Sequence, residues 1–231
     1  MQKKYAFISS DVQRQLNGIK RLIYLKMNGI TADSMANNGI RYAKNYGVSL
    51  PEIKLMAQAI VPDHALAQLL WQEKIRETML LATYIQPADS FDEALSELWL
   101  IDIQNLELAE QISRNLFARL PFMPDKVSEW SGSDNVWCCS VGFFTAAFGC
   151  NRLSAETKAF LQNVALTTLV RDELPVYRAI ALFLRKKGAE NRAEAVSVLQ
   201  AIASFASSSK LAENYIFEEV STDLKYKFNL S

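Results

Sequence analysis

The side chains that most often carry out acid–base, nucleophilic or metal chemistry are scarce in this sequence. His64 is the one histidine among 231 residues. A serine–histidine–aspartate triad or a site with several histidine ligands would therefore depend on that residue alone. His64 follows Val61-Pro62-Asp63 at the start of a predicted helix, and no second ligand stands at metal-binding spacing. We predict a structural or surface role for His64 and no bound metal.

The three cysteines also lack a catalytic or metal-binding pattern. Cys138 and Cys139 are adjacent, Cys150 follows at a distance, and no pair has CxxC spacing. An odd number of cysteines, two of them neighbours, argues against a disulfide-stapled secreted fold. The first residues contain no apolar signal core, and no run of 18 apolar residues occurs. We expect a cytoplasmic protein without a cofactor.

Charge and composition narrow the classes of partner. The chain has 25 Lys and Arg against 25 Asp and Glu, and half of its residues are hydrophobic, which excludes a disordered chain. Zero net charge argues against a strongly electrostatic nucleic-acid binder, because affinity for phosphates comes mainly from Lys and Arg. Two local basic clusters are candidates for DNA contact, namely Arg178 with Arg185-Lys186-Lys187, and Lys20-Arg21 with Lys26.

Capping residues and apolar periodicity predict helices along almost the whole chain. Ser10 and Ser49 each begin a capping box, and Asp63 is placed to cap the next helix. A helix is predicted from about Ser34 to Tyr46, with Gly47 as its C-terminal stop. Only 8 Gly and 6 Pro are present, too few for the many tight turns of a β-sandwich or barrel.

Predicted helices come in pairs of regular length. The pairs begin near residues 90, 124, 154 and 190, at intervals of about 30–36 residues, the scale of HEAT-like helical hairpins. Each hairpin of this kind buries its apolar face only by stacking on its neighbours. The sequence therefore predicts an all-α protein, an α-α superhelix (solenoid) of HEAT-like helical hairpin repeats, as a single domain over residues 1–231.

Four segments, in order along the chain, resemble motifs of the DNA alkylation repair family, the AlkD-like HEAT-repeat DNA glycosylases. Asn45–Lys54 is similar to the family's G-V-x-x-P-x-I-R, and Leu70–Glu77 is similar to L-W-x-x-x-x-x-E. Asn135-Val136-Trp137 and Tyr177–Arg185 fall where the family has W-x-R-R and K-A-x-x-W-x-L-R. The chain is therefore identified as a divergent member of that family, with the resemblance covering about residues 28–188.

The resemblance implies excision of N3- or N7-alkylated purines from DNA. Such a base is already a cation and leaves readily, so the enzyme must stabilise a positive sugar and base as the glycosidic bond breaks. A carboxylate supplies this stabilisation electrostatically. Indole faces attract the cationic nucleotide by about 0.5–2 kcal/mol each, and an arginine holds the phosphate.

Several of these functional positions differ in the present sequence. The carboxylate position is Glu110, a glutamate in place of aspartate, which makes it the candidate catalytic residue. The two tryptophan positions hold Leu106 and Leu182, and the basic pair after Trp137 is replaced by Cys138-Cys139-Ser140. The resemblance therefore implies a family member whose catalytic set is largely replaced.

The four tryptophans divide into two pairs. Trp71 and Trp99 are expected in the core, because large aromatics at helical spacing are usually buried. Trp130 and Trp137 flank a predicted loop, so exposure in a groove stays open for both. An offset alignment that uses Trp99 and Asp102 in place of the Leu106–Glu110 pair also stays open, since their spacing places them on nearly one helix face.

Three functional hypotheses follow. The first is a divergent family member that binds double-stranded DNA or another partner in a concave groove, with weak or absent glycosylase activity. The second is an active glycosylase that excises alkylated purines with Glu110. The third is an interaction scaffold for a protein partner, which zero net charge favours. The residues predicted to contact nucleic acid are Trp137, Ser140, Arg178, Arg185 and Lys186.

Overall fold

The computed structural model describes residues 10–168 and 172–230, which form thirteen α-helices and contain no β-strand. Backbone pairing of the β type is confined, in these ranges, to a single bridge between Lys44 and Ile75. The all-α prediction is thus confirmed. None of the helices in the described ranges has both the length and the apolar character needed to cross a bilayer.

The chain divides into two compact units, residues 1–92 and 93–231, so the single-domain expectation stays a prediction. In the first unit, α4 packs on α1 and α5, and α5 packs on α3. Trp71 is buried in this core, as predicted. The helices of the first unit are α1 (Ser10–Leu25), α2 (Gly29–Asn37), α3 (Leu50–Gln58), α4 (His64–Gln72) and α5 (Arg76–Ile85).

The helix predicted from about Ser34 to Tyr46 is wrong. Helix α2 begins earlier, because the Asn28 side chain accepts a hydrogen bond from the Thr31 N–H at 3.1 Å and caps it. It ends at Asn37. Residues 38–49 form an irregular loop. The capping box at Ser49 correctly predicts the helix that follows this loop, since Ser49 caps α3 and accepts a hydrogen bond from the Glu52 N–H.

A buried carboxylate holds this loop in its non-helical path. Glu77, fully buried, accepts hydrogen bonds from the backbone N–H groups of Tyr46 at 3.1 Å and Val48 at 3.2 Å. Arg76, also buried, donates through Nη1 to the Val48 carbonyl at 2.6 Å and to Glu77 at 3.1 Å. The backbone N–H of Arg76 donates to the Lys44 carbonyl at 2.9 Å. These contacts take the place of a helical ladder.

Gly47 is required at the centre of the same loop. Its φ of +72° lies in the left-handed region that other residues avoid, and a side chain there would clash with the backbone carbonyl oxygen of Asn28. Gly47-Val48 and Glu77 belong to the two segments that resemble family motifs, and they meet in space. Their role in this unit is architectural.

The described residues of the second unit form eight α-helices in four pairs, and these pairs start near the predicted positions. Helices α7, α9, α11 and α13 pack side by side in that order, while α8 packs on α9 and α10. Trp130 of α8 donates through Nε1 to Glu97 of α6 at 3.0 Å. The pairs are α6 (Glu93–Ile101) and α7 (Leu106–Asn115), α8 (Met123–Ser131) and α9 (Val136–Phe148), α10 (Ala155–Thr168) and α11 (Leu174–Gly188), and α12 (Arg192–Ala201) and α13 (Leu211–Phe228).

Helix α9 is the central element of this unit and is buried from Cys139 to Ala147. Close contact with α8 depends on Gly142, since a Cβ there would clash with the Ser131 backbone nitrogen and lie 2.7 Å from its Oγ. Because α9 lies between α7 and α11, the close packing of α9 on α8 also determines the positions of the exposed residues on α7 and α11.

Candidate nucleic-acid interface

Glu110 lies on the exposed side of α7, next to groups that the sequence reasoning did not find. Its side chain is 31% exposed and accepts a hydrogen bond from Arg114 Nη2 at 2.6 Å. The Arg114 guanidinium lies 4.4 Å from the ring centroid of Phe148 on α9. A guanidinium therefore adjoins Glu110, and an aromatic ring adjoins that guanidinium. The i, i+4 spacing of Glu110 and Arg114 is a signal that would have found the first of them.

Helix α11 carries two further exposed cations, Arg178 and Lys186. Lys186 and Phe148 line one cleft of about 350 Å³. Arg178 lies two turns earlier on α11, and both Arg178 and Lys186 are exposed without an ion pair to another described residue. Half-buried Leu182 lies between them, where the family has an indole.

Arg185, the third predicted cation of α11, is occupied within the protein. Its Nε lies 3.2 Å from Asp223 and its Nη1 lies 3.4 Å from Glu219, both on α13. Each partner carboxylate is partly exposed. Arg185 therefore joins α11 to α13, and the two carboxylates of α13 compensate its positive charge.

The remaining predicted residues differ in access to solvent. Ser140 is fully buried and donates its hydroxyl to the Val136 carbonyl at 2.6 Å, so it is not part of the exposed surface. Trp137 is half-buried at the start of α9. It borders a cleft of about 700 Å³, together with Glu97, Leu100, Ile101, Ile103, Gln104, Ser133, Asn135 and Cys138.

The other tryptophans belong to the core. Trp99 and Trp130 are buried, and the indole N–H of Trp130 is used by Glu97. The offset alignment through Trp99 and Asp102 therefore supplies no exposed indole. Leu106, the other position where the family has tryptophan, is half-buried on α7.

The described histidine and cysteines are not arranged for catalysis or metal binding. His64 Nδ1 lies 3.0 Å from Gln86 Nε2, in the first unit. Burial raises the pKa of Cys150 to about 12 and also raises the pKa of Cys138, so both remain poorly nucleophilic thiols at neutral pH. In the described part of the chain, no three His, Cys, Asp or Glu side chains are grouped to hold a metal ion.

Comparison with known proteins decides the family. Residues 22–214 match the family model for "DNA alkylation repair enzyme". The chain belongs to this family. The described fold is also similar, at a TM-score of 0.77 and 15% identity, to a solved structure from a new family of proteins related to the HEAT-like repeat DNA glycosylases, with affinity for branched DNA structures. The match covers 90% of this chain and 94% of that chain. No curated protein sequence matched.

The HEAT-like fold class and the resemblance to the DNA alkylation repair family are thus confirmed. Within this family member, the motif segments around Gly47 and Glu77 stabilise a loop of the first unit. Glu110 on α7 and Arg178 and Lys186 on α11 are accessible to solvent.

Proposed function

We propose that this member of the DNA alkylation repair family binds DNA through the exposed sides of α7, α9 and α11, and that its glycosylase activity is weak or absent. The distribution of charge on these helices carries the proposal. Glu110 is paired with Arg114, whereas Arg178 and Lys186 have no carboxylate partner among the described residues. Exposed cations of this kind attract phosphates. The affinity described for the structural neighbour makes branched DNA the first ligand to test.

Weak or absent excision follows from the surroundings of Glu110. A glycosylase carboxylate must face the positive charge that develops on the sugar. Here Arg114 already offsets the charge of Glu110 at 2.6 Å. Leu106 and Leu182 offer no π face to a cationic base, which removes an attraction of about 0.5–2 kcal/mol for each missing indole.

Replacing Arg178 and Lys186 together by glutamine is expected to lower affinity for a branched DNA about five- to tenfold at low salt. Because each phosphate contact contributes about 0.9 to the salt dependence of duplex binding, the slope of log K against log salt should become shallower by almost two. Fluorescence anisotropy over a salt series measures both quantities. The control is Arg14→Gln with Lys54→Gln, which removes the same charge from exposed sites of the first unit. Equal losses in both double variants would contradict the proposed surface.

An active glycosylase is the second candidate, favoured by the arginine beside Glu110 and by the aromatic ring that this arginine contacts. In that function Arg114 would leave Glu110 to hold the substrate phosphate. This exchange is energetically accessible, because an exposed i, i+4 ion pair contributes only about 0.3–0.5 kcal/mol.

Excision measurements separate the two candidates. On N-methylated duplex DNA, we expect the wild-type protein and Glu110→Gln to release methylated purine at the same rate as buffer alone. Faster release by the wild type that is lost in Glu110→Gln would establish the second candidate. Faster release that persists in the variant would remove Glu110 from the mechanism. A protein without affinity for any DNA would instead favour the interaction scaffold.

A further inference from the structure

One cleft of the second unit combines exposed apolar side chains with an acidic edge. It is the cleft of about 700 Å³ that Trp137 borders, and we call it the Trp137 cleft. Its walls come from the end of α6, the loop after α6, the loop before α9 and the first turn of α9. Neither Arg178 nor Lys186, the cations proposed to contact DNA, lines this cleft.

The α6 wall of the Trp137 cleft is apolar and open to solvent. Ile101, at the end of α6, lines the cleft and is 73% exposed. Leu98 lies three residues earlier, on the same side of the helix, and is 61% exposed. Trp137 is half-buried and also lines the cleft. Large apolar side chains that stand exposed beside an accessible indole are typical of surfaces that contact another protein.

Along the edge of the cleft, three carboxylates share one ammonium group. Lys126 Nζ, on α8, lies 2.8 Å from Glu129, 3.2 Å from Glu97 and 3.8 Å from Glu93. The three glutamate side chains are well exposed, whereas the lysine is mostly covered. The group therefore carries a net charge of two negative units, three carboxylates against one ammonium.

The helices and loops that form the cleft contain few basic residues to offset this charge. Residues 93–113 contain no lysine, arginine or histidine, and residues 120–151 contain Lys126 alone. The thiol of Cys138, which lines the cleft, responds to the same charges. Burial raises the pKa of Cys138, the carboxylate of Glu97 raises it further, and Lys126 lowers it by a smaller effect. The cleft is therefore acidic.

Hydrogen bonds hold the backbone around Trp137 in place. The Asn135 side-chain oxygen accepts from the N–H groups of Trp137 and Cys138, both at 3.0 Å. The Asn135 N–H in turn donates to Ser133 Oγ at 3.2 Å. Because this wall of the cleft is already ordered, a partner that binds there pays little conformational entropy for it.

We propose that the Trp137 cleft docks a basic segment of a partner protein, with an apolar side chain against Ile101 and Trp137 and a lysine or arginine beside Glu97. Such a cation would meet carboxylates and an indole ring, and both attract positive charge. DNA fits less well, because the glutamates repel its phosphates. A small hydrophilic cation would leave the exposed side chains of Ile101 and Leu98 uncovered. The inference goes beyond the proposed DNA binding and does not depend on it.

The test uses three fluorescently labelled peptides of equal length and measures their binding to the whole chain by anisotropy. The first peptide alternates arginine and leucine, the second arginine and serine, and the third glutamate and leucine. We expect the arginine–leucine peptide to bind most tightly and the arginine–serine peptide to bind about tenfold more weakly, because it lacks apolar anchors. The glutamate–leucine peptide should not bind. Equal affinities for the first two peptides would overturn docking on the apolar wall.

A serine substitution locates the apolar contact. Ile101→Ser is expected to lower affinity for the arginine–leucine peptide about fivefold, as for the loss of one buried apolar contact in an interface. Leu211→Ser is the matched control, because Leu211 is a similarly exposed apolar residue at the start of α13. Its affinity should stay within about twofold of the wild type. Equal affinities in the two variants would contradict docking in the Trp137 cleft.

Charge removal locates the acidic contact. Glu93→Gln with Glu129→Gln is expected to lower affinity for the arginine–leucine peptide about three- to tenfold at low salt, as for the loss of two exposed ion pairs. Glu156→Gln with Glu218→Gln removes the same charge from exposed sites elsewhere in the second unit and should change the affinity much less. Equal losses in the two double variants would mean that the peptide responds only to overall charge, which would overturn the proposal.

Trp137 is also a predicted nucleic-acid contact, so Trp137→Ala distinguishes the two kinds of partner. Peptide affinity should fall about tenfold or more, the loss typical of a tryptophan at the centre of an interface. Affinity for branched DNA should stay within about twofold, because the acidic cleft offers no favourable phosphate contact. Thermal melting by circular dichroism checks that each variant is folded. A loss of DNA affinity with unchanged peptide affinity would overturn the proposal and assign Trp137 to the DNA surface.

Discussion

Replacing Glu77 by glutamine is expected to lower the free energy of unfolding by about 3–5 kcal/mol, the usual cost of removing one partner from a buried ion pair. The Arg76 side chain is 3% exposed and would keep its charge without the carboxylate. The new amide group would also face the N–H groups of Tyr46 and Val48, which now donate to carboxylate oxygens. Urea denaturation followed by circular dichroism and tryptophan fluorescence measures the loss.

Glu110→Gln is the matched control for this prediction. It removes the same charge from an ion pair whose side chains are 31% and 51% exposed. Because exposed i, i+4 pairs contribute only about 0.3–0.5 kcal/mol, the control should remain close to the wild type. Similar stabilities for the two variants would mean that Glu77 does not hold the loop, contrary to the hydrogen bonds it accepts.

Gly142→Ala is expected to destabilise the second unit by about 1–3 kcal/mol or more, the range found for overpacked cores. The added methyl group would clash with the Ser131 backbone, which cannot rotate away as a long side chain does. Helix α9 must then move from α8, and the contact between Arg114 and Phe148 changes with it. Urea denaturation gives the stability, and DNA affinity under native conditions reports the displacement of the surface.

Gly18→Ala provides a control of opposite sign. Gly18 lies inside α1, and an added Cβ would meet no atom within 4 Å. Alanine at an unhindered helical site raises stability by about 0.4–1 kcal/mol, because the unfolded chain has fewer conformations to lose. If Gly142→Ala were as stable as Gly18→Ala, helices α8 and α9 would not be packed as closely as described.

The family motifs that this chain retains and the family tryptophans that it replaces have different physical explanations. The segments around Gly47 and Glu77 remain similar to the family because a buried carboxylate, an ordered loop and a left-handed glycine depend on one another. The positions of Leu106 and Leu182 are only half-buried, so the packing of the fold does not require tryptophan there. A protein can therefore keep the family fold while its exposed residues change.

Local patterns along the chain predict the helices, most of their starts and the order of the helix pairs. Ser49 and Asp63 cap helices as predicted, with Asp63 accepting from the Leu66 N–H at 2.7 Å. Capping bonds and apolar periodicity act over a few residues, so they can be read directly along the chain. Family motifs then identified the fold, because they include residues that this packing requires.

Which side chains are accessible, and which loop replaces a predicted helix, depend on contacts between distant segments. The path of loop 38–49 depends on Glu77, which lies 31 residues beyond Tyr46. Ser140 is buried because neighbouring helices cover it. Phe148 on α9 lies under Arg114 because α7 packs against α9. Burial and contacts of this kind arise between segments far apart in sequence, whereas local patterns report only on a helix's own turns.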